Sequence, residues 1–171
     1  MLVVADTTPL NYLILIEHIA ILAPLYERVV IPSAVATELR HYKAPAPVHA
    51  WIAEPPPWCM IQQAQGQPDT ALLQLGPGER EALLLVQELG ADVFLTDDLE
   101  GREEAIYRGI AVTGTLGTLG RAALRGLIDL PTAIGRLQTT TFYAPPEIIA
   151  AMLSQDAARK ALPSSSDESS E

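Results

Sequence analysis

Positive charge is what this sequence has least of. Lysine and arginine together number 11 against 21 acids, for a formal net charge of −10, and the only lysines are Lys43 and Lys160. A chain this acidic does not draw nucleic acid by its overall field. Aromatic residues are also scarce at 5%, so Leu, Ile, Val and Ala must build the core. Cys59 is the lone cysteine, which excludes a disulfide framework or a cysteine-rich zinc site and argues for a reduced, cytoplasmic setting. His18, His41 and His49 have no ligand spacing. No long apolar run survives inspection either. The longest, Tyr12 to Tyr26, is broken by Glu17, His18 and Pro24, which argues against a membrane span. The first residues read as a strand without a basic lead, which argues against a signal peptide.

What is present is a globular composition of 171 residues, 49% of them hydrophobic, enough for one sizeable core. Residues 1–160 read as a single domain. Residues 161–171 read as a disordered tail rich in serine and acid, and setting aside its three acids leaves about −7. Strand and helix signals alternate, which predicts a three-layer α/β/α sandwich around one parallel sheet. Strands are expected at 2–6, 28–31, 59–62, 92–96 and 110–113. Helices are expected at 9–17 and 19–26, at 34–41 with Ser33 as N-cap, from Gly78 to Leu89, and at 99–108, 115–125, 131–138 and 145–160. The proline-rich stretch 43–58 predicts little beyond a turn around Val48 to Ala53.

Acids stand at the ends of these elements. Asp6 closes the first strand, Glu38 lies in the helix after the second, Glu79 and Glu81 open the helix after Gly78, and Asp97-Asp98 close the fourth strand. In a parallel α/β sheet, sites form outside the carboxyl ends of strands. Carboxylates gathered there require cations or shared protons between them. Each acid also has a plain structural role open to it. Asp6 fits a helix N-cap as well as a metal ligand. Glu38 alone reads as a solvated glutamate, and Glu79 and Glu81 suit the positive end of a helix dipole. The adjacent pair Asp97-Asp98 is the sharpest signal, because capping by one offsets their repulsion only in part. Together the acids offer the oxygen-only donor set that Mg²⁺ and Mn²⁺ prefer.

Several segments occur in a familiar order: Val4-Ala5-Asp6-Thr7-Thr8-Pro9-Leu10, Val30-Ile31-Pro32-Ser33-Ala34-Val35-Ala36-Thr37-Glu38-Leu39, Gly78-Glu79-Arg80-Glu81-Ala82, Leu95-Thr96-Asp97-Asp98, Gly101-Arg102 and Gly109 to Thr115. Over roughly residues 1–140 the chain resembles the PIN-domain family, and within it the VapC-like branch of toxin ribonucleases. The resemblance implies a metal-dependent endoribonuclease that hydrolyses RNA phosphodiester bonds, as the toxin of a type II toxin–antitoxin pair. It implies Mg²⁺ or Mn²⁺ held by Asp6, Glu38, Glu81 and Asp97 or Asp98, with Glu79 the weaker of its pair. Thr7, Arg102 and Thr115 are weak candidate substrate contacts, since Thr7 fits helix capping better, Arg102 fits a salt bridge slightly better, and Thr115 fits a strand-to-helix turn. A cognate antitoxin protein and a homodimer are the implied partners.

Two other readings compete with this one. A receiver domain would want a lysine after a late strand, and a haloacid-type phosphatase would want Asp-x-Asp after the first strand, where this chain has Asp6-Thr7-Thr8. A non-catalytic interaction module of the same fold suits the acidic surface, but the full set of acids weighs against it. The basic residues available for a substrate groove thin out to Arg40, Lys43, Arg80, Arg102, Arg108 and Arg121.

Overall fold

In a computed structural model that describes residues 1–162, five strands form one parallel sheet. They are β1 (Leu2–Ala5), β2 (Arg28–Pro32), β3 (Cys59–Gln62), β4 (Val93–Leu95) and β5 (Val112–Thr113). The inner strands are short apolar runs, fully buried in β1 and β4, as a sheet covered on both faces requires. Helices on both sides complete the three-layer α/β/α sandwich. The strand order is β3-β2-β1-β4-β5. The chain steps outward from β1 to β3, returns to place β4 on the other side of β1, and ends at β5. The order therefore reverses between β1 and β4. Register is tight there, with Val4 opposite both Val30 and Phe94.

The helices are α1 (Thr7–Leu15), α2 (Leu22–Leu25), α3 (Ser33–Leu39), α4 (Ala46–Ala53), α5 (Pro77–Leu89), α6 (Leu99–Tyr107), α7 (Thr115–Leu124), α8 (Leu130–Gln138) and α9 (Pro146–Ala161). The stretch expected at 9–26 breaks at Glu17, whose φ is +61°, and α1 and α2 meet at a 119° bend. Leu10, Leu13, Leu22 and Leu25 along it are buried in the core. Among the described residues no single helix is long and apolar enough to cross a membrane.

Two expectations need correction. The proline-rich stretch contains the helix α4, because Pro47 sits in its first turn, where a missing N–H costs nothing. Val48 and Ile52, one turn apart, then bury together. Ser33 is not an N-cap: it is the first residue of α3, and Pro32 precedes it without a side-chain cap. Ala161 still belongs to α9 and Leu162 is its C-cap, and residues 163–171 of the expected tail lie outside the described residues.

By contact density the chain divides into two compact units, Met1–Thr118 and the part from Leu119 onward. The first holds the sheet and a core in which Leu83, Leu85 and Val86 of α5 meet Val4, Val30 and Phe94. In the second, α8 packs on α9. Buried Asp156 pairs with Arg159 at 2.8 Å and Lys160 at 2.7 Å, and Lys160 reaches Asp129 at 3.3 Å. Arg159 also donates to the Ala123 carbonyl. Leu83 is fully buried, so Leu83→Ala should lower stability by about 2–5 kcal/mol, measured by urea denaturation.

Candidate active site

The reversal between β1 and β4 brings Asp6 beside Thr96. The Asp6 amide donates to the Leu95 carbonyl at 2.9 Å, which carries the β1–β4 ladder one residue past the strand. Asp6 is then the N-cap of α1, with Oδ1 accepting from the Thr7 amide at 2.8 Å. Its Oδ2 accepts from the Thr96 hydroxyl at 2.9 Å, inside the protein. Thr96 Oγ1 in turn accepts from the Asp98 amide at 3.1 Å. One buried hydroxyl thus aligns both strand ends. Thr96 was not anticipated from the sequence. Its signal is the one hydroxyl closing the apolar run Val93-Phe94-Leu95.

Asp98 caps α6 through Gly101 at 3.0 Å. Glu38, on α3, receives the Thr7 hydroxyl's hydrogen bond. Its carboxylate also presses on the backbone of Gly78 at the start of α5. A Cβ at Gly78 would lie 2.8 Å from Oε1, so only glycine admits this approach. The positive end of α5 favours a carboxylate there. Glu79, in the same turn, reaches back to the Gly76 amide.

Asp6, Glu38, Glu79 and Asp98 form one electrostatic group. Burial pushes the Asp6 carboxyl up from 3.8 to about 6, and the charges on Glu38 and Asp98 add to it, while the bonds from Thr7 and Thr96 pull the other way. Burial likewise pushes Glu79 from 4.5 to about 7, reinforced by Asp98 and Asp6. Among the described residues no three acids, histidines or cysteines already enclose an ion. The four acids share electrostatic reach rather than a closed cage.

Two expected ligands face elsewhere. Glu81 lies two residues after Glu79, about 200° around the helix. Its Oε2 accepts from the Ala34 amide at 2.6 Å and its Oε1 from the Ala64 amide at 3.0 Å. Glu81 therefore caps α3 from outside, doing what Ser33 was expected to do. Asp97 accepts from both the amide and the hydroxyl of Thr115, at 2.7 and 2.6 Å, and ties β4 to the first turn of α7. A Cβ at Gly114 would sit 2.6 Å from Asp97 Oδ1, so that glycine makes room for the tie. Of the adjacent pair, Asp98 is the member coupled to Asp6. On α5 Glu79 rather than Glu81 is coupled to Asp98 and Asp6, and the helix pattern carries the signal: Ala82, Leu83 and Val86, at steps of three, four and seven from Glu79, are all buried.

The expected substrate contacts are also engaged within the protein. Thr115 is fully buried against Asp97. Arg102 donates to the Thr96 carbonyl at 3.1 Å. Arg80 donates to the carbonyls of Leu72, Leu73 and Leu75, and Arg108 pairs with Asp69 and Glu104. Thr7 is half-buried and bound to Glu38.

Two expectations follow. Because the folded state binds protons at Asp6 and Glu79 more tightly than the unfolded chain does, stability from these groups is present at low pH. It is lost as pH rises from about 4 through about 6 for Asp6 and about 7 for Glu79. Thermal melts without added divalent cation should show that fall, and Asp6→Asn should flatten its lower part. Glu81→Gln, which can satisfy only one of the two amides, should cost about 1–3 kcal/mol in a denaturant titration.

A sequence profile described as a PIN domain matches residues 2–157, across both compact units. No curated protein matches the chain at a significant level. The acids at the ends of β1 and β4 and at the starts of α5 and α6 thus sit in a recognised nuclease fold, and the chain belongs to the PIN-domain family.

Proposed function

We propose that this chain is a divalent-metal-dependent endoribonuclease, acting as the toxin of a type II toxin–antitoxin pair. The observation that carries the reading is the electrostatic coupling of Asp6, Glu38, Glu79 and Asp98 beside the point where the strand order reverses. That crevice is where open α/β sheets place their ligands. The donor set fits the cation: every candidate ligand is a carboxylate oxygen, the type Mg²⁺ and Mn²⁺ prefer. Burial, with the neighbouring charges adding to it, raises the carboxyls of Asp6 and Glu79, and a cation among them would favour their ionised forms.

In this reading Asp6, Glu38, Glu79 and Asp98 hold the ion. When bound, it activates water for attack on a phosphodiester and neutralises charge on the leaving oxygen. The protein's own part is positioning. Thr96 and the Thr7 amide fix both oxygens of Asp6. The Thr7 hydroxyl and the Gly78 backbone bracket Glu38. Asp97 and Glu81 hold the surrounding helices in place. Residues 1–160 act as one domain, a reading supported by the family match across both compact units. A cytoplasmic setting fits the lone Cys59.

The purified protein should cleave RNA with Mg²⁺ or Mn²⁺ and stop when the cation is chelated. Asp6→Asn should lower cleavage roughly 100-fold or more, the scale of losing a polar group at a reacting centre. Glu81→Gln should keep its cleavage rate while melting earlier. Undiminished cleavage by Asp6→Asn would mean a contaminating nuclease or a wrong site. The antitoxin and the homodimer rest on family resemblance. Co-expression with the adjacent small open reading frame should relieve growth arrest and yield a complex, and light scattering should report a dimer.

A further inference from the structure

The sheet has two edges, β3 and β5, and they are not alike. β5 has two residues and lies beside α6, whose outer face carries the exposed Glu100 and Glu103. β3 runs through Cys59-Met60-Ile61-Gln62, with Met60 50% exposed and the other three half-buried, whereas β1 and β4 are buried throughout. Among the described residues β3 pairs with β2 alone. Alternate N–H and C=O groups along its outer side therefore open a row of donors and acceptors. Charge and proline are common guards on such an edge, and β3 itself carries neither. The chain's two tryptophans gather beside it. Trp51 of α4 and Trp58, just before β3, are both half-buried, with ring centroids 6.2 Å apart. Trp and Met are residue types enriched at protein interfaces.

Charge decides what suits this edge. From Pro55 to Pro68 the sequence carries no charged residue, its longest such run. The carboxylates of Glu81 and Glu88, which reach that stretch, are held on the amides of Ala64, Gln65 and Gly66. Two copies of a chain with net charge −10 repel wherever their acids meet, and across a two-fold axis the same patch faces itself. A charge-free edge is where that repulsion is least. A charged partner of another sequence would find nothing here to attract it. An identical strand laid antiparallel satisfies the open backbone row of both copies at once. We propose that β3 pairs antiparallel with β3 of a second copy across a two-fold axis, joining two five-stranded sheets into one, with Met60 and the Trp51–Trp58 pair as the apolar contacts. A strand this short makes a weak ladder alone, since an isolated strand pair is marginal in water, so the apolar contacts carry much of the association. This surface lies two strands from Asp6 in the sheet order and does not draw on the nuclease reading.

Sedimentation of the full chain over a concentration series, with its tryptophan emission recorded on the same samples, tests this. A dimer should form, and its dissociation on dilution should shift the emission to the red, because both tryptophans lie at the contact. Added salt should tighten the dimer, since it screens the repulsion between two acidic chains and has no ion pair to weaken at the contact. Met60→Glu sets like charges against each other and should weaken association roughly tenfold or more, while Met60→Leu should keep it. Met60 is exposed, so the circular dichroism of both variants should match the parent. Ile106→Glu, on the exposed face of α6, should leave the dimer intact. A monomer at every concentration would overturn the pairing. So would a dimer that survives Met60→Glu, loosens with salt, is lost in Ile106→Glu, or dissociates with no change in emission. RNA cleavage by the same samples is read separately: a monomer that cleaves leaves the nuclease reading standing, and a dimer that does not cleave leaves the edge pairing standing.

Discussion

The hydrogen bond from Thr96 to Asp6 is the contact on which the site depends. It joins the ends of β1 and β4, strands separated by some ninety residues of chain but adjacent in the sheet. Because it is buried, its loss would leave a carboxylate oxygen without a partner in a low-dielectric setting, which is expensive. The same hydroxyl accepts from the Asp98 amide, so the positions of Asp6 and Asp98 are coupled through one atom. The site's geometry is therefore inherited from strand pairing rather than assembled by flexible side chains.

Capping and chemistry are not alternatives in this protein. Asp6 and Asp98 each cap a helix and also belong to the acid group. A capping bond occupies one lone pair and fixes the rotamer, leaving other acceptor sites on the carboxylate. Glu81 and Asp97 do the capping alone, but across the chain. Glu81 serves α3 and the segment after β3, and Asp97 serves α7. The acids thus sort into four that are coupled electrostatically and two that hold the frame around them. Burial is the main energetic cost of holding Asp6 and Glu79 there, with the neighbouring charges adding to it, and it is expressed in their raised carboxyls.

The shortage of positive charge takes on a different meaning in three dimensions. Arginines that a sequence would assign to a substrate groove hold carbonyls and carboxylates of the protein itself. Arg80 closes the turn before α5, Arg102 supports the Thr96 carbonyl, and Arg108 is flanked by two acids. Lys43 stands apart from that group because its loop carries it to the edge of the acid site, next to an exposed ring.

The parallel sheet, most helix positions and the placement of Asp6 and the Asp97-Asp98 pair at strand ends, with Glu38 on the helix after β2, were legible in the sequence. Apolar strands of four or five residues ending in acids, and glycines at helix boundaries, are local signals with local causes. The helix α4 was missed because prolines read as breakers, although Pro47 falls where a helix tolerates it. That Glu79 rather than Glu81, and Asp98 rather than Asp97, is coupled to Asp6 was not available from composition or order. Both members of each pair are acidic and stand within two residues of each other. What separates them is the rotation of α5 and the path of the chain after β4, which aim one side chain at Asp6 and the other at a backbone amide. Sequence determined which residues could carry negative charge to the ends of the strands. Tertiary structure alone decided which carboxylates meet, because that depends on strand order and helix phase.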